Sequence, residues 1–225
     1  MKSNKVLVVA PHPDDETLGC GGTLLKHRQQ GDQIHWLIFT QMIGLSGVTE
    51  ERIQTREREI EQVVEAYGFQ SVERFDYPTT KLDTFPLDII IRDISEVLNR
   101  IQPEIIYLPY RGDIHSDHRV VFDSVVACGK WFRYPFIHKI LVYETLSETD
   151  FALNPDLIGF RPNVFVNIEN FLQNKIEIMN IFKSEISDFP FPRSNEAIRA
   201  LAQYRGQMSG FKAAEAFMLL KETII

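Results

Sequence analysis

Two short segments of the chain concentrate imidazole and carboxylate side chains. The first, His12-Pro13-Asp14-Asp15-Glu16, holds one histidine and three acids within five residues. Repulsion among the three carboxylates would destabilise this segment unless a cation neutralises them. His12 and Asp15 are three residues apart across a predicted turn, a separation that lets an imidazole and a carboxylate converge on one metal ion. This segment therefore predicts part of a metal site.

The second segment, residues 112–119 (GDIHSDHR), adds His115 and His118 together with Asp117. The two segments jointly supply the mixed imidazole and carboxylate ligands that suit Zn²⁺ or another borderline divalent ion. Each is weak evidence by itself, because an acidic turn is also typical of a solvated helix N-terminus and H-x-x-H recurs on protein surfaces. The prediction of a metal site depends on the two segments meeting.

The surrounding elements predict that they do meet. Residues 6–10 (VLVVA) read as a buried strand, and the first segment follows it directly. A helix over 17–30 and a strand over 34–40 complete one β-α-β unit with a right-handed crossover. The second segment follows a predicted strand over 105–108. If both strands are parallel, their carboxyl ends share the edge of the sheet where ligands bind in open α/β folds.

The remaining pattern predicts the fold class. Helices are predicted over 50–67, 87–101 and 120–129, and a short strand over 72–75. This alternation up to about residue 130 indicates an α/β fold with a doubly wound, mostly parallel sheet and helices on both faces. Further on we predict strands over 139–143 and 163–168 and helices over 171–182 and 195–207, while 214–221 could be strand or helix. No long linker interrupts residues 1–225, which we expect to form a single domain.

Composition excludes several classes of function. Lys and Arg number 24 against 31 Asp and Glu, a formal charge of −7, which argues against a general binder of nucleic acid or anionic membranes. No apolar run is long enough for a membrane span, and the acids that follow the first apolar run do not fit a signal peptide. Two cysteines cannot form a disulfide framework or a cysteine-rich zinc site. We therefore expect a soluble, cytoplasmic protein.

The motifs match a known family. APHPDDE at 10–16 resembles the AHPDDE signature, and HSDH at 115–118 the second histidine motif, of the PIG-L/LmbE-like zinc-dependent N-deacetylases. Arg56-x-x-Glu59 is similar to the RxxE element of that family, and YRG at 204–206 with AEAF at 214–217 is similar to its C-terminal motif. The resemblance implies a Rossmann-like fold, one divalent metal ion and hydrolysis of an acetamide, typically on an N-acetylglucosamine-type sugar. It also implies a homo-oligomer, which aromatic residues near 131–136 and 189–191 could support.

The resemblance implies roles for six side chains. His12, Asp15 and His118 would be the metal ligands, and three protein ligands leave a position for water, as in catalytic rather than structural sites. Asp14 would be the general base that takes the proton of that water and later passes it to the leaving amine. His115, if protonated, would stabilise the tetrahedral oxyanion, with Asp117 orienting its ring and favouring the charged form.

Four other residues are less well defined by the sequence. Glu16 is best interpreted as a helix N-terminal charge or as a partner of a ligand. Arg56 could bind substrate or lie on a solvated helix face with ion pairs. Asp83, in the loop PTTKLD, is a candidate for binding sugar hydroxyls. Asp113 stands where some relatives carry a tyrosine that assists the oxyanion, so this chain departs from the family pattern at that position.

Three other functions compete with this hypothesis. A dinucleotide-dependent oxidoreductase is disfavoured because the glycines at 19–22 lack the G-x-G-x-x-G spacing and the acids at 14–16 would repel a pyrophosphate. A carbohydrate-binding or oligomer-forming module with a structural metal would need a fourth ligand, from Asp14 or His115. An amidohydrolase acting on a non-sugar acyl amide is the nearest alternative.

Overall fold

One sheet of seven strands organises the computed structural model, which describes residues 3–42, 45, 47–153 and 159–224. The strands are β1 (Lys5–Ala10), β2 (Gln33–Gln41), β3 (Ser71–Pro78), β4 (Ile105–Pro109), β5 (Lys139–Tyr143), β6 (Val164–Asn167) and β7 (Ala214–Glu222). Their order across the sheet is β3-β2-β1-β4-β5-β7-β6. The first five pair in parallel, and β7 runs antiparallel to both β5 and β6. Residues 214–221, which the sequence left open, are therefore strand.

Helices cover both faces of this sheet. They are α1 (Asp15–Gln29), α2 (Glu50–Tyr67), α3 (Leu87–Ile101), α4 (Ser116–Ala127), α5 (Leu172–Met179) and α6 (Asn195–Gln207). Alternate residues of β1 point to opposite sides: Val6 and Val8 pack with α1, α2, α5 and α6, whereas Leu7 and Val9 pack with α3 and α4. The predicted doubly wound α/β fold is confirmed.

The start of α4 differs from the prediction. The sequence predicts a helix from residue 120, where the apolar pattern begins, but α4 begins at Ser116. The side chain of His115 caps it, because its Nδ1 accepts a hydrogen bond from the backbone N–H of Asp117 at 3.2 Å. The histidine motif thus forms the first turn of a helix rather than a loop ahead of it.

The run of small residues at 19–22 lies at a kink in α1 that packs closely against other elements. Cys20 has non-helical angles (φ −142°, ψ 21°), so α1 consists of two segments. A Cβ atom on Gly19 would lie 2.2 Å from the ring of Tyr143, and one on Gly21 would lie 2.6 Å from the Tyr67 hydroxyl oxygen. The glycines therefore allow the start of α1 to lie directly against two buried tyrosines.

The described residues bear on three further expectations, which concern the cysteines, a membrane span and a homo-oligomer. Cys20 and Cys128 are both buried and free, so neither forms a disulfide. Within the described ranges, no helix combines the length and the apolar character that crossing a membrane requires. Trp131 and Phe132 are 72% and 63% exposed, so a homo-oligomer formed through this segment would bury them.

Candidate metal centre and active-site cavity

The two histidine and carboxylate segments lie side by side at the edge of the sheet. Strands β1 and β4 are parallel neighbours, and α1 and α4 start just beyond their carboxyl ends. The chain passes from β1 outward to β2 and β3 and then returns to β4 on the other side of β1. This reversal is the topological switch point at which open α/β sheets form their ligand crevice.

Three side chains from these segments could hold a metal ion. His12, Asp15 and His118 each offer a ligand atom, and these atoms lie within 4.8 Å of one another. Asp15 Oδ2 lies 3.2 Å from His12 Nδ1 and 3.3 Å from His118 Nε2. His118 is fully buried, yet its Nε2 has no hydrogen-bond partner among the described residues. A buried ring nitrogen that faces a carboxylate and a second imidazole fits a divalent cation.

Both histidines are supported by a carboxylate on the nitrogen that faces away from Asp15. Asp113 Oδ2 lies 2.8 Å from His118 Nδ1, and Asp117 Oδ2 lies 3.2 Å from His12 Nε2. Metal-ligating histidines usually have such a partner, which fixes the tautomer and the ring orientation. The sequence singled out Asp113 only as a departure from a family tyrosine. The structure instead places its carboxylate against His118, where it also accepts a hydrogen bond from Thr149 Oγ1 at 2.6 Å.

The position of Asp117 differs from the prediction that it would orient His115. Its carboxylate accepts hydrogen bonds from the backbone N–H groups of Thr80 and Leu82 at 2.8 and 3.1 Å and contacts His12. Its Oδ2 lies 3.9 Å from Nδ1 of His115, beyond hydrogen-bonding range. The backbone N–H of Asp117, rather than its carboxylate, contacts that ring. In the first turn of α4 the backbone of Asp117 thus faces His115, while its carboxylate faces Thr80, Leu82 and His12.

A second group of possible ligands overlaps the first. His12, His115 and Asp117 also offer atoms within 4.8 Å of one another. The carboxylate of Asp117 is already engaged by two backbone N–H groups, so it has less capacity for a cation than Asp15. The described structure therefore favours the group that contains Asp15 and His118.

Burial and charge pairing shift the pKa values of the site in opposite directions. Burial opposes ionisation of Asp15, but the adjacent His118 and His12 hold the pKa of its carboxyl well below the usual range. Burial likewise opposes protonation of His12, yet the hydrogen bonds that its ring donates to Asp117 and Asp15 raise the pKa of His12 to about 9. Burial, with the neighbouring His12 and His118, lowers the pKa of His115 to about 4. Without a cation the described geometry thus favours neutral His115, so the condition of a protonated ring, under which the sequence assigned it to the oxyanion, is not favoured here.

Asp14 lies at the mouth of this cluster in an unusual conformation. Its backbone φ is 133°, and its side chain makes no capping hydrogen bond to α1, although it occupies the N-cap position. Burial and the adjacent Asp15 raise the pKa of Asp14 to about 7. Its carboxylate is 3.3 Å from Nη1 of Arg193. The side chain that would usually cap the helix is therefore turned toward the cavity.

Arg56 is buried rather than solvated. It is 6% exposed, and its guanidinium donates hydrogen bonds to the backbone oxygen of Pro13 at 2.9 Å and to Ser184 Oγ at 3.0 Å. It also pairs with Glu59 at 3.3 Å and with Glu185. These contacts hold the turn that carries Asp14, so of the two alternatives given for Arg56 the solvated helix face does not agree with its burial.

Arg193 and Glu185 are the residues that the sequence did not identify. Glu185 follows α5 and pairs with Arg56 and with Arg193, the latter at 3.3 Å. Arg193 lies in the Pro-rich segment DFPFPR, which was interpreted only as a turn. It is separated from Asp14 by 179 positions, and no local pattern connects the two.

A cavity of about 380 Å³ opens beside these side chains. Its described lining includes Asp14, Asp15 and His115, both Arg56 and Arg193, and an apolar wall formed by Leu18, Met42, Leu45, Val48, Ile53 and Ile60. Asp83 is exposed on the short helical turn Leu82–Thr84 and is not among the described residues that line the cavity. The site therefore combines a polar reacting end with an apolar wall, in the size range of small-molecule pockets.

The fold and the cluster define an α/β protein with a histidine and carboxylate centre at the switch point of its sheet. Residues 7–128, more than half of the chain, match the family model described as PIG-L, GlcNAc-PI de-N-acetylase. The chain belongs to this PIG-L/LmbE-like family of deacetylases, as predicted.

Individual proteins extend the similarity to most of the chain. A diacetylchitobiose deacetylase from Thermococcus kodakarensis is 27% identical over 94% of this chain and 81% of its own length. A probable N-acetyl-alpha-D-glucosaminyl L-malate deacetylase 2 from Bacillus cereus is 26% identical over 80% of this chain and 83% of its own. The crystal structure of protein TT1542 from Thermus thermophilus superposes with a TM-score of 0.79 at 26% identity, covering 99% of this chain and 97% of that one.

Proposed function

We propose that the protein is a metal-dependent hydrolase that removes the acetyl group from an N-acetylated amino sugar, of the N-acetylglucosamine type, or from its conjugate. One observation carries the proposal. The buried His118 Nε2, which makes no hydrogen bond to the described residues and lies 3.3 Å from Asp15 Oδ2, is grouped with His12 and Asp15 beside Asp14 at the end of a cavity. The two relatives named above are both described as deacetylases of acetylated sugars, which supports the substrate class.

His12, Asp15 and His118 would hold the ion, which we propose to be Zn²⁺ or another divalent metal. When bound, such an ion activates water and polarises the acetyl carbonyl. Asp117 and Asp113 would keep the two imidazoles in their ligating orientation.

Asp14 would move the proton in this reaction. Its carboxylate lines the cavity beside Asp15 without being one of the three proposed ligands, and its side chain does not cap α1. We assign to it the removal of a proton from water as the oxygen attacks the acetyl carbon, and delivery of that proton to the leaving nitrogen. Acetamide and water are thereby converted to acetic acid and an amine, which together form acetate and an ammonium group by proton transfer.

His115 would bind the acetyl oxygen in the transition state. Its Nδ1 accepts the backbone N–H of Asp117, so the neutral ring carries its proton on Nε2 and can donate from that atom. His115 lines the cavity, as such a donor must. Asp117 would assist by positioning the backbone of this turn and the ring of His12. Arg56 would form part of the cavity wall that contacts the substrate. Asp83 could contact only the outer part of a sugar conjugate.

The test is acetate release from a panel of N-acetylglucosamine conjugates by the metal-loaded protein. Chelation should abolish release, and added Zn²⁺ should restore it. Asp14→Asn should lower kcat by about 10²- to 10⁴-fold while the bound metal is retained, whereas His12→Ala should lose the metal. Chelator-insensitive release, or unchanged activity in Asp14→Asn, would refute the mechanism.

The same panel separates the nearest alternative. Acyl amides without a sugar, such as N-acetylated amines and amino acids, test whether the enzyme needs a sugar ring. If they are hydrolysed with a higher kcat/KM than every sugar conjugate, the assignment of the substrate class is wrong, although the metal-dependent mechanism stands.

A further inference from the structure

The backbone of Asp14 is strained, and something must hold it. A positive φ of 133° for a non-glycine residue costs roughly 1–3 kcal/mol and persists only where the surroundings enforce it. The carbonyl oxygen of Asp14 already accepts the N–H groups of Thr17 and Leu18, at 3.0 and 2.9 Å, as the first acceptor of α1. These bonds fix the carbonyl but leave the N–H side of the residue to another group.

Glu16 supplies that group. Its side chain is fully buried, and its Oε2 accepts the backbone N–H of Asp14 at 3.0 Å. In a usual capping arrangement the N-cap side chain bonds to the helix and a glutamate one turn later bonds back to the N-cap N–H. Here Glu16, only two residues after the N-cap, makes a similar bond back while the N-cap side chain makes none, so Asp14 keeps its helix-starting backbone and its carboxylate lines the cavity.

A hydrogen-bond chain fixes Glu16 in turn. Thr17 Oγ1 donates to Glu16 Oε1 at 2.6 Å, and the hydroxyl of Tyr67 donates to Thr17 Oγ1 at 3.1 Å. Tyr67 is the last residue of α2 and is fully buried, and Gly21 leaves the space that its hydroxyl occupies. No ion pair or hydrogen bond joins Glu16 to a Lys or Arg of the described chain. A buried carboxylate without a cation is costly to maintain, which calls for a role other than stability.

We propose that Glu16 is a positioning residue for catalysis: together with Thr17 and Tyr67 it holds Asp14 in the strained conformation that directs its carboxylate into the cavity. The inference rests on the proposed role of Asp14 as the proton-transferring group. It assigns Glu16 neither to the metal nor to the substrate. A displacement of about 1 Å at a reacting group can lower a rate by about 10²-fold, which sets the size of the effect.

The test compares Glu16→Met with Glu16→Gln. Met has no acceptor for the N–H of Asp14, whereas the amide oxygen of Gln can accept it and the Gln NH₂ can donate to Thr17 Oγ1. We expect Glu16→Met to lower kcat about 100-fold with KM and bound metal unchanged, and Glu16→Gln to restore most of the activity. Glu196→Met, at an exposed acid in the first turn of α6, is the control and should behave as the wild type.

A second pair keeps the test independent of folding. Thr17→Val removes the hydroxyl that orients Glu16 at nearly constant volume, and Thr17→Ser retains it. We expect kcat to fall about tenfold in the valine variant, as for loss of one hydrogen bond, and to stay near the wild type in the serine variant. Equal kcat in the two variants, or a Glu16→Met enzyme within twofold of the wild type, overturns the inference.

Asp14→Asn distinguishes a failure of the proposed role of Asp14 from a failure of the positioning role of Glu16. If Asp14→Asn is inactive but Glu16→Met is fully active, only the positioning role fails. If Asp14→Asn is as active as the wild type, the proposed function of Asp14 fails, and the inference about Glu16 fails with it. A loss of metal in Glu16→Met that the glutamine variant does not reverse would assign Glu16 to the metal centre and also overturn the proposal.

Discussion

Replacing Asp113 tests whether the ligand set is supported as its geometry indicates. The carboxylate of Asp113 is fully buried, lies 2.8 Å from His118 Nδ1 and accepts a hydrogen bond from the hydroxyl of Thr149. In Asp113→Ala the Nδ1–H of His118 loses its partner inside the protein. The ring can then rotate, and its Nε2 no longer has a fixed direction toward Asp15.

Two estimates of the size of this effect agree. A hydrogen bond to a buried charged group contributes about 1.5–3 kcal/mol. Loss of the carboxylate behind a metal-ligating histidine usually costs about 10- to 100-fold in metal affinity, and one factor of ten corresponds to about 1.4 kcal/mol. We therefore expect Asp113→Ala to weaken zinc binding 10- to 100-fold. Asp113→Asn should lose less, since its amide oxygen can still accept the Nδ1–H of His118.

Chelator competition measures this change directly. The zinc dissociation constants of the wild type, Asp113→Ala and Asp113→Asn are determined at one pH against a chromophoric chelator. Asp123→Ala is the matched control, because Asp123 lies on α4 as His118 does but pairs with Arg111 away from the cluster. A dissociation constant for Asp113→Ala within twofold of the wild type would refute the reasoning about His118.

Three more outcomes follow from the structure. Arg193→Met removes the cation 3.3 Å from Asp14 and should lower kcat/KM about tenfold with metal retained, a loss that Arg193→Lys should partly reverse. Lys175→Met leaves the buried carboxylate of Glu215 without its ion-pair partner and should lower the free energy of unfolding in urea by about 3 kcal/mol. Burial lowers the pKa of His27 in the folded state, so its contribution to stability is present above the unfolded pKa of about 6.5 and is lost as the pH falls below that value. The urea midpoint should therefore fall less between about pH 7.5 and 5.5 in His27→Gln than in the wild type.

Each of these outcomes has a contrary result. Unchanged kcat/KM in Arg193→Met would mean that the cation beside Asp14 has no part in turnover. An unfolding free energy for Lys175→Met equal to that of Arg92→Met, at an exposed ion pair, would show that the buried pair contributes no more than a surface pair. Equal pH sensitivity of His27→Gln and the wild type would show that His27 keeps its unfolded pKa in the native state.

The regular elements were largely predictable because each depends on short-range pattern. The bounds of α2, α3, β5 and α6 match the predicted ranges, since apolar periodicity and caps such as Gly68 are local signals. The prediction failed where polar side chains form a helix terminus. Residues 116–119 carry no apolar periodicity, yet they form the first turn of α4 because His115 caps it.

The chemistry of the site was also visible in the sequence, because strand ends and residue types bring the ligands together. His12, Asp15 and His118 follow two strands that proved to be parallel neighbours, so a short-range pattern and one rule of sheet topology placed them at one edge. The partners of these ligands were not visible. Nothing in the sequence distinguishes Asp113, which supports His118, from Asp117, which supports His12.

The sequence alone thus predicted the fold class and the family, because these depend on residue type and on spacing within single elements, and the family resemblance implied the candidate ligand set. The packing of distant elements was needed to bring Arg193 and Glu185 beside Asp14 and to bury Arg56 against Pro13. It was needed as well to place Tyr67, from the end of α2, behind Thr17 and Glu16. Contacts between residues separated by 50 to 179 positions arise only when the helices close over the sheet, and no local pattern encodes which side chains then meet.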